Sequence, residues 1–177
     1  MATEALNPDE LEERLTQLHG DSYGWALSCC GWNEVEAEDV VQTTYVKVLS
    51  GQARYAGRSS FRTWLFGVVR LTALERRRRE SSIHRRAERL AAEWAPDLEA
   101  TAAPDEALVE REQASRLREA LDALPARQRE VVHLVFYQGL SVAEAADAMD
   151  VSVGSARTHY HRGKERLRSL LVMEESP

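Results

Sequence analysis

The chain has 177 residues, of which 44% are hydrophobic and 29% are charged, a balance typical of globular proteins. No apolar run approaches the roughly 18 residues of a membrane span, and the acidic N-terminus lacks a secretion signal, so we expect a cytoplasmic protein without membrane insertion. The two cysteines are adjacent and the five histidines form no spaced cluster with them, so we expect no disulfide framework, no metal site and no cofactor.

The formal net charge of −6 conceals a strong alternation of sign along the chain. Residues 1–50 carry 2 basic and 10 acidic side chains, whereas residues 51–90 carry 11 basic and 3 acidic ones. Residues 91–126 are again acidic, and residues 153–171 hold 5 basic side chains and 1 acidic one. The two basic stretches favour binding to the phosphates of a nucleic acid, and the acidic stretches favour binding to a basic protein partner.

Helical patterns account for the first 90 residues. Asn7 and Pro8 mark the start of a first helix, and a second one covers "SYGWALSCC" and ends near Gly31. A third covers "EVEAEDVVQTTYVKVLS" and stops before Gly51. A Gly- and Ser-rich loop then precedes a long basic helix, "FRTWLFGVVRLTALERRRR".

Residues 92–107 are acidic and rich in alanine and proline, which is typical of a linker. They separate an N-terminal helical unit, residues 10–91, from a C-terminal one, residues 108–172. We therefore predict an all-α fold of two small helical domains joined by a flexible linker, each with a modest core.

The C-terminal unit ends in two helical patterns around a tight break at residues 150–152. Ser141 and Glu144 have the spacing of a capping box at the start of the first helix, and Ser152 is placed to cap the second. Two apolar stripes are predicted to be buried: Val142, Ala145, Ala146 and Met149, then Val153, Ala156, Tyr160, Gly163 and Leu167. The other side of the last helix is polar and basic, which favours a helix-turn-helix, although a bare helical hairpin with a solvated basic face fits nearly as well.

Two motif blocks resemble the extracytoplasmic-function (ECF) family of RNA polymerase sigma factors. The run "LDALPARQREVVHLVFYQGLSVAEAADAMDVSVGSARTHYHRGKERLRSLL" resembles sigma region 4, a helix-turn-helix. In the N-terminal half, "AEDVVQTTYVKVL" and "YAGRSSFRTWLFGVVRLTALERRRR" resemble sigma region 2, a helical bundle. The likeness covers about residues 10–90 and 108–172 in the family order, so it spans most of the chain.

The resemblance implies an alternative sigma factor that binds core RNA polymerase through its β and β′ subunits, recognises the −35 and −10 promoter elements and promotes strand opening. Such a protein is not an enzyme. The resemblance assigns the −35 element to Ser155, Arg157, Thr158, His159 and Arg162. Arginine side chains suit guanine edges in the major groove, and Ser155 near the helix N-terminus suits the DNA backbone.

Residues 55–79 are assigned to the −10 element. The predicted contacts are Tyr55, Arg58, Ser59, Ser60, Phe61, Arg62, Arg70, Arg76 and Arg77. Aromatic faces and polar loop groups accommodate an unstacked base, and arginines track phosphates. Trp64, Leu65 and Val68 are expected to pack in the core instead.

The resemblance assigns core-polymerase binding to the acidic third helix. Its predicted contacts are Glu36, Glu38, Asp39, Gln42 and Thr43. A carboxylate stripe suits a basic docking site on a partner, with Ala37, Val41, Tyr45 and Val48 facing inward.

Two positions depart from the family pattern: Thr43 stands where an acidic residue is usual, and Leu71 where asparagine is usual. The change at Leu71 affects a segment assigned to promoter preference and melting. Phosphorylation of Thr43, or of the neighbouring Thr44, by a Ser/Thr kinase would restore the missing charge. The alternative is that Thr43 is a neutral surface residue and that an anti-sigma factor controls the protein.

Other classes of function remain open from the residues. A dimeric helix-turn-helix regulator would explain the C-terminal unit but leaves the strand-melting block unexplained. A pure protein-interaction module does not explain the basic run at residues 76–79. An enzyme is least favoured, because no nucleophile with a base, carboxylate pair, phosphate loop or metal cluster stands out.

Overall fold

The computed structural model describes residues 7–90 and 116–173, and it describes side chains within residues 7–81 and 116–171. All regular elements in these ranges are α-helices, numbered here in chain order. They are α1 (Pro8–Gln17), α2 (His19–Cys29), α3 (Glu34–Leu49), α4 (Phe61–Leu90), α5 (116–122), α6 (Ala126–Phe136), α7 (Val142–Met149) and α8 (Val153–Met173). The predicted linker at residues 92–107, and with it both domain boundaries, lies outside the described residues.

Local hydrogen bonds start α1 and α7 where the sequence predicts, whereas α2 begins at His19, three residues before its predicted start. The Asn7 side chain accepts from the backbone N–H of Glu10 at 2.8 Å, with Pro8 in the first turn of α1. At α7 the capping box is complete, because Ser141 Oγ accepts from the N–H of Glu144 at 3.2 Å and Glu144 accepts from the N–H of Ser141 at 2.8 Å. These contacts satisfy N–H groups that have no partner inside the helix.

Helices α1 to α4 form the N-terminal bundle. The predicted inward face of α3 is confirmed, since Ala37, Val41 and Val48 are buried and Tyr45 is half-buried. Val48 and Leu65 belong to a cluster between α1, α3 and the start of α4. Burial of these apolar groups is the main favourable term holding α4 against the bundle.

Helices α6 to α8 form the C-terminal unit, and α7 and α8 make the predicted helix-turn-helix. Asp150 adopts a left-handed conformation, with φ of 54°, at the break between them. Helix α8 crosses α6 so closely that a Cβ added at Gly163 would lie 2.9 Å from Cγ2 of Val132. One residue of the predicted buried stripe is placed differently: Val153 is 36% exposed, because it begins α8 at the open end of the turn.

The two units share the largest hydrophobic cluster of the described residues. One hydrophobic cluster joins Phe66 and Val69 of α4 to Leu134 of α6 and to Ala145 and Met149 of α7. The sequence predicts two modest cores, whereas in the structure this cluster continues across the face between α4 and α7, and only smaller clusters are confined to each unit. This contact decides which side chains of the predicted sites are exposed.

None of the helices that the structure describes is both long and apolar enough to cross a bilayer.

Candidate nucleic-acid interface

The outer face of α8 presents the residues predicted to read the −35 element. Ser155, Arg157, Thr158 and Arg162 are exposed and His159 is half-buried. Ser152 Oγ accepts from the N–H of Ser155 at 3.1 Å, which confirms Ser152 as the cap of α8. The structure therefore brings all five predicted side chains onto one helix next to a capped N-terminus, as major-groove entry requires.

The loop before α4 is shaped by three aromatic rings. The ring centroids of Tyr55, Phe61 and Trp64 lie 5.2–5.4 Å from one another, and the Tyr55 hydroxyl donates to the Ser59 carbonyl at 2.6 Å. Phe61 is only 7% exposed and packs with Leu65. Phe61 therefore supports the loop from below in this conformation, and it offers no free face to an unstacked base.

The polar residues of this loop are at least partly open to solvent. Arg58 and Ser60 are exposed and Ser59 is half-buried. Ser60 Oγ also accepts from the N–H of Thr63 at 3.1 Å, so it caps α4 as well as facing solvent. The N-terminus of α4 with Arg58 and Ser60 is the open part of the predicted −10 surface.

The predicted phosphate-tracking arginines are occupied by intramolecular partners. Arg62 lies 3.0 Å from the Asp21 carboxylate and 3.3 Å from the side-chain oxygen of Gln138. Arg76 pairs with Asp39 and with Glu80, and Arg77 donates to the Cys29 carbonyl at 2.9 Å. These surface pairs are weak enough for phosphate to displace them.

Arg70 differs from the others because it is buried. It is 4% exposed, and its Nε lies 3.2 Å from a carboxylate oxygen of Glu130 on α6. Arg70 is inaccessible to DNA while the two units are packed together, which the sequence did not predict, since Glu130 is sixty positions further along the chain.

The acidic face of α3 is open. Glu38, Asp39 and Gln42 are exposed, Glu36 is half-buried and Thr43 is half-buried. The Asn33 side chain accepts from the N–H of Glu36 at 3.1 Å, which caps the helix. All five predicted core-polymerase contacts therefore share an accessible helix surface.

Thr43 and Thr44 have opposite environments. Thr44 is fully buried and its hydroxyl donates to the Val40 carbonyl at 2.7 Å, so a kinase cannot reach it in this fold. This placement corrects the expectation that Thr44 is a second phosphorylation site. Thr43 lines a cavity of about 480 Å³ between α3 and α4, together with the basic side chains of Lys47 and Arg79.

One titratable residue at the junction was not singled out by the sequence. His133 of α6 is 4% exposed, and its ring lies 5.3 Å from the Trp25 ring of α2 and 5.1 Å from the Tyr137 ring. Burial lowers the pKa of His133 to about 4. No local motif marks this residue, because its apolar surroundings come from a helix a hundred positions away.

Both halves of the chain match sigma-factor family models, with Sigma-70 region 2 at residues 15–83 and Sigma-70, region 4 at residues 114–167. The chain is 34% identical over 134 residues to the ECF RNA polymerase sigma factor SigX of Bacillus subtilis, an alignment that covers 75% of this chain and 69% of SigX. The chain belongs to the ECF sigma-factor family.

A second ECF relative supports this assignment, and two solved structures share the fold. The chain is 30% identical over 142 residues to the ECF sigma factor SigD of Mycobacterium tuberculosis, covering 78% of this chain and 64% of SigD, a little under two thirds of that protein. The solved structure of CnrH in complex with the cytosolic domain of CnrY is 25% identical, with a TM-score of 0.64 over 96% of this chain and 92% of that one. The sigma factor RpoE in complex with the anti-sigma factor NepR from Bartonella quintana, at 24% identity, has the same fold with a TM-score of 0.70 over 90% and 95% of the chains.

Family membership confirms the predicted all-α fold with regions 2 and 4, and the predicted function of an alternative sigma factor. Sigma factors bind core RNA polymerase and promoter DNA. They are initiation factors rather than a family of enzymes. The dimeric helix-turn-helix regulator is not supported, because it does not account for the match to region 2.

Proposed function

We propose that this sigma factor reads the −35 element with the outer face of α8 and the −10 element with the loop at residues 55–60 and the start of α4. The observation that carries the proposal is the set of five exposed or half-exposed polar and basic side chains on α8. We also propose that it acts in the cytoplasm, performs no catalysis itself, and is divided into region 2 at residues 10–91, a linker at residues 92–107 and region 4 at residues 108–172.

The proposal is tested by run-off transcription on fragmented genomic DNA with bacterial core polymerase. We expect discrete start sites preceded by a shared two-part motif. Arg162→Ala should make the free energy of promoter binding about 1–3 kcal/mol less favourable, because the arginine side chain donates directional hydrogen bonds to guanine. Arg168→Ala is the matched control, since Arg168 is exposed on the same helix, lies more than one turn beyond Arg162 and is not one of the five predicted contacts. Equal losses in both variants would contradict base reading by α8.

For the −10 surface, the informative substitution is Arg58→Ala. Arg58 is exposed in the loop that precedes α4, so its loss should reduce strand opening and leave binding to core polymerase unchanged. Permanganate footprinting measures the opening, and a pull-down with core polymerase measures the binding. A loss of core binding in Arg58→Ala would contradict its assignment to DNA.

We propose that α3 docks on core polymerase through the carboxylates of Glu36, Glu38 and Asp39, with Gln42 and Thr43 beside them. This face is exposed while regions 2 and 4 are packed together. The exposure supports the proposal, because a partner can bind the face without a rearrangement of the two regions. A basic, helical surface on the partner would match the charge. Glu38→Lys should weaken core binding, and Glu12→Lys on the exposed face of α1 is the charge-matched control.

Regulation is proposed to act at Thr43 or through an anti-sigma factor. A phosphate on Thr43 adds about −1.5 to −2 charges one helical turn from Asp39. It would compete with Asp39 for Arg76, which lines the same cavity, and so free the Asp39 carboxylate for the polymerase. The cavity wall also carries the carboxylates of Asp39, Glu75 and Glu80, which oppose the added charge.

Thr43→Glu tests this form of regulation, with Thr16→Glu on the exposed face of α1 as the control for added charge. Stronger core binding and more transcript for Thr43→Glu alone would support control by a kinase. Equal activity of wild type and Thr43→Glu favours an anti-sigma factor instead, the kind of partner that RpoE has in its complex with NepR. Thr43→Val, if it leaves transcription in cells unchanged, argues against the kinase.

A further inference from the structure

The loop between α3 and α4 is closed by a side-chain hydroxyl. The Tyr55 hydroxyl donates to the carbonyl of Ser59, four positions further along the chain, at 2.6 Å. Residues 56–58, which this bond encloses, are all exposed and form the tip of the loop. The bond therefore fixes the distance between the two ends of the tip, which restricts the conformations of the residues between them.

The Tyr55 ring is itself anchored in the N-terminal bundle. Its centroid lies 5.4 Å from that of Phe61, nearly edge-on, and 5.3 Å from that of Trp64. The ring also packs against the cluster that contains Leu15 and Val48. A ring anchored in this way has already lost its rotational freedom, so it presents the hydroxyl at one place without a further entropic cost.

The chain on either side of the tip is fixed without help from this hydroxyl. Before the tip, the N–H of Ala53 donates to a carbonyl of α3 at 2.9 Å. After the tip, Ser60 Oγ accepts from the N–H of Thr63 at 3.1 Å, and Thr63 is fully buried. Loss of the Tyr55 hydroxyl should therefore loosen the tip and leave α3, α4 and the aromatic cluster in place.

The tip carries an unpaired cation. Gly57 has a φ of 67°, a left-handed conformation that glycine adopts at little cost. Arg58 follows it, is exposed, and makes no ion pair or hydrogen bond with the residues that the structure describes. Because no partner holds the Arg58 side chain, the backbone of the tip decides where its guanidinium lies.

The tied tip is suited to the capture of a single strand. An opened promoter strand has many conformations, and its capture requires protein groups at a fixed spacing. A loop that varies in shape must be ordered when the strand binds, and the cost of ordering is subtracted from the affinity. A loop whose ends are already tied together avoids most of this cost. The Tyr55 hydroxyl therefore favours strand capture, although its bond is made inside the protein.

We propose that Tyr55 is a positioning residue for strand opening. Its hydroxyl holds the tip in the conformation that places Arg58 against the unpaired strand, and its ring packs in the bundle instead of stacking on a base. This role differs from the direct contact that the sequence predicts for Tyr55, and it rests on the proposed assignment of the −10 element to the loop at residues 55–60. Arg58 touches the DNA, and Tyr55 acts through it.

Tyr55→Phe tests this role, because it removes the hydroxyl and keeps the ring. The full-length chain is combined with bacterial core polymerase on a promoter found by run-off transcription, and permanganate reactivity measures the rate of opening. We expect opening about two- to tenfold slower than with wild type, the range that corresponds to one net intramolecular hydrogen bond, and unchanged binding to core polymerase. Tyr45→Phe is the matched control, since it removes a hydroxyl that donates to the Leu15 carbonyl at 3.1 Å in the same bundle, and it should open the promoter as wild type does.

A double-mutant cycle separates positioning from a general loss of structure. Tyr55→Phe is combined with Arg58→Ala, and the opening rates of wild type, both single variants and the double variant are compared. If Tyr55 acts through Arg58, the double variant should open the promoter at about the rate of Arg58→Ala alone, because the hydroxyl then has no guanidinium to position. Two independent effects would multiply instead.

Several results would overturn the inference. Opening by Tyr55→Phe at the wild-type rate, with a loss confined to Tyr55→Leu, would show that the ring and not the hydroxyl is used. Multiplied effects in the cycle would show that Tyr55 does not act through Arg58, and an equal loss in Tyr45→Phe would indicate a general loosening of the bundle. Wild type without discrete start sites, or Arg58→Ala that opens the promoter as wild type does, would instead defeat the proposed function, and the inference would fall with it.

Discussion

Acidification should destabilise the folded chain through His133. This imidazole is enclosed by the rings of Trp25 and Tyr137, and its Nδ1 has no hydrogen-bond partner among the described residues. The other ring nitrogen lies 3.4 Å from the side-chain amide of Gln138. A proton on His133 would place a charge among apolar groups, and burial accordingly lowers the pKa of this imidazole from 6.5 to about 4.

The direction of the pH effect follows from this lowered pKa. Above about pH 6.5 the imidazole is neutral in both the folded and the unfolded chain, so it contributes no pH dependence. As the pH falls from 6.5 towards 4, the unfolded chain takes up the proton and the folded chain does not. The difference between a pKa of 6.5 and one of about 4 corresponds to a loss of at most about 3.4 kcal/mol, of which about 2 kcal/mol is reached at about pH 5.

Urea unfolding at about pH 7.5 and pH 5 measures this loss. Wild type should lose about 2 kcal/mol between the two conditions, whereas His133→Phe, which keeps an aromatic ring against Trp25, should lose much less. Glu144 does not obscure the result. Hydrogen bonds from Ser141 hold the pKa of its carboxyl below the ordinary 4.5, so the stability it contributes is lost only at lower pH. Equal losses in wild type and His133→Phe would refute this reasoning.

Two further predictions concern the helix-turn-helix. Gly163→Ala should lower the free energy of unfolding, measured in urea, by about 1–3 kcal/mol, because the added Cβ would lie 2.9 Å from Val132. Gly154→Ala is the control and should change this free energy by less than about 0.5 kcal/mol, because its Cβ would meet only the Ser152 hydroxyl, at 3.9 Å. Equal effects of the two substitutions would contradict the close crossing of α6 and α8. Ser141→Ala should cost about 1 kcal/mol, measured as a lower Tm, because it removes the capping box of α7; an unchanged Tm would show that the cap is dispensable.

Helix starts and buried faces could be predicted from the sequence. The caps at Asn7, Ser141 and Ser152 use side chains three residues from the N–H groups they satisfy, so each is encoded in a few consecutive positions. The inward stripes of α3 and α7 follow from a period of 3.6 residues, which a short stretch also contains. The exposed face of α8 could be predicted for the same reason.

The environment of individual candidate residues could not be predicted. In the sequence, Phe61 is a candidate to stack on a base. Only the structure shows that its ring is already covered by Tyr55 and Trp64. Thr43 and Thr44 are adjacent and chemically identical. Thr44, however, follows Val41 by three positions and Ala37 by seven, so the period of α3 already places it on the inward stripe, where it is fully buried while Thr43 stays accessible.

The sequence by itself determined the helices, their caps and the helix-turn-helix, because these depend on hydrogen bonds and periodicity within a few turns, and its two motif blocks carry the resemblance to the family. Tertiary structure alone decided that the two regions share one core, that Arg70 is paired with Glu130 and that His133 is held neutral among aromatic rings. Each of these depends on at least one group 60 or more positions away in the chain, such as the Trp25 ring beside His133. The free energy of a charged or polar group is set by the neighbours that folding brings to it, and those neighbours leave no mark in the local pattern.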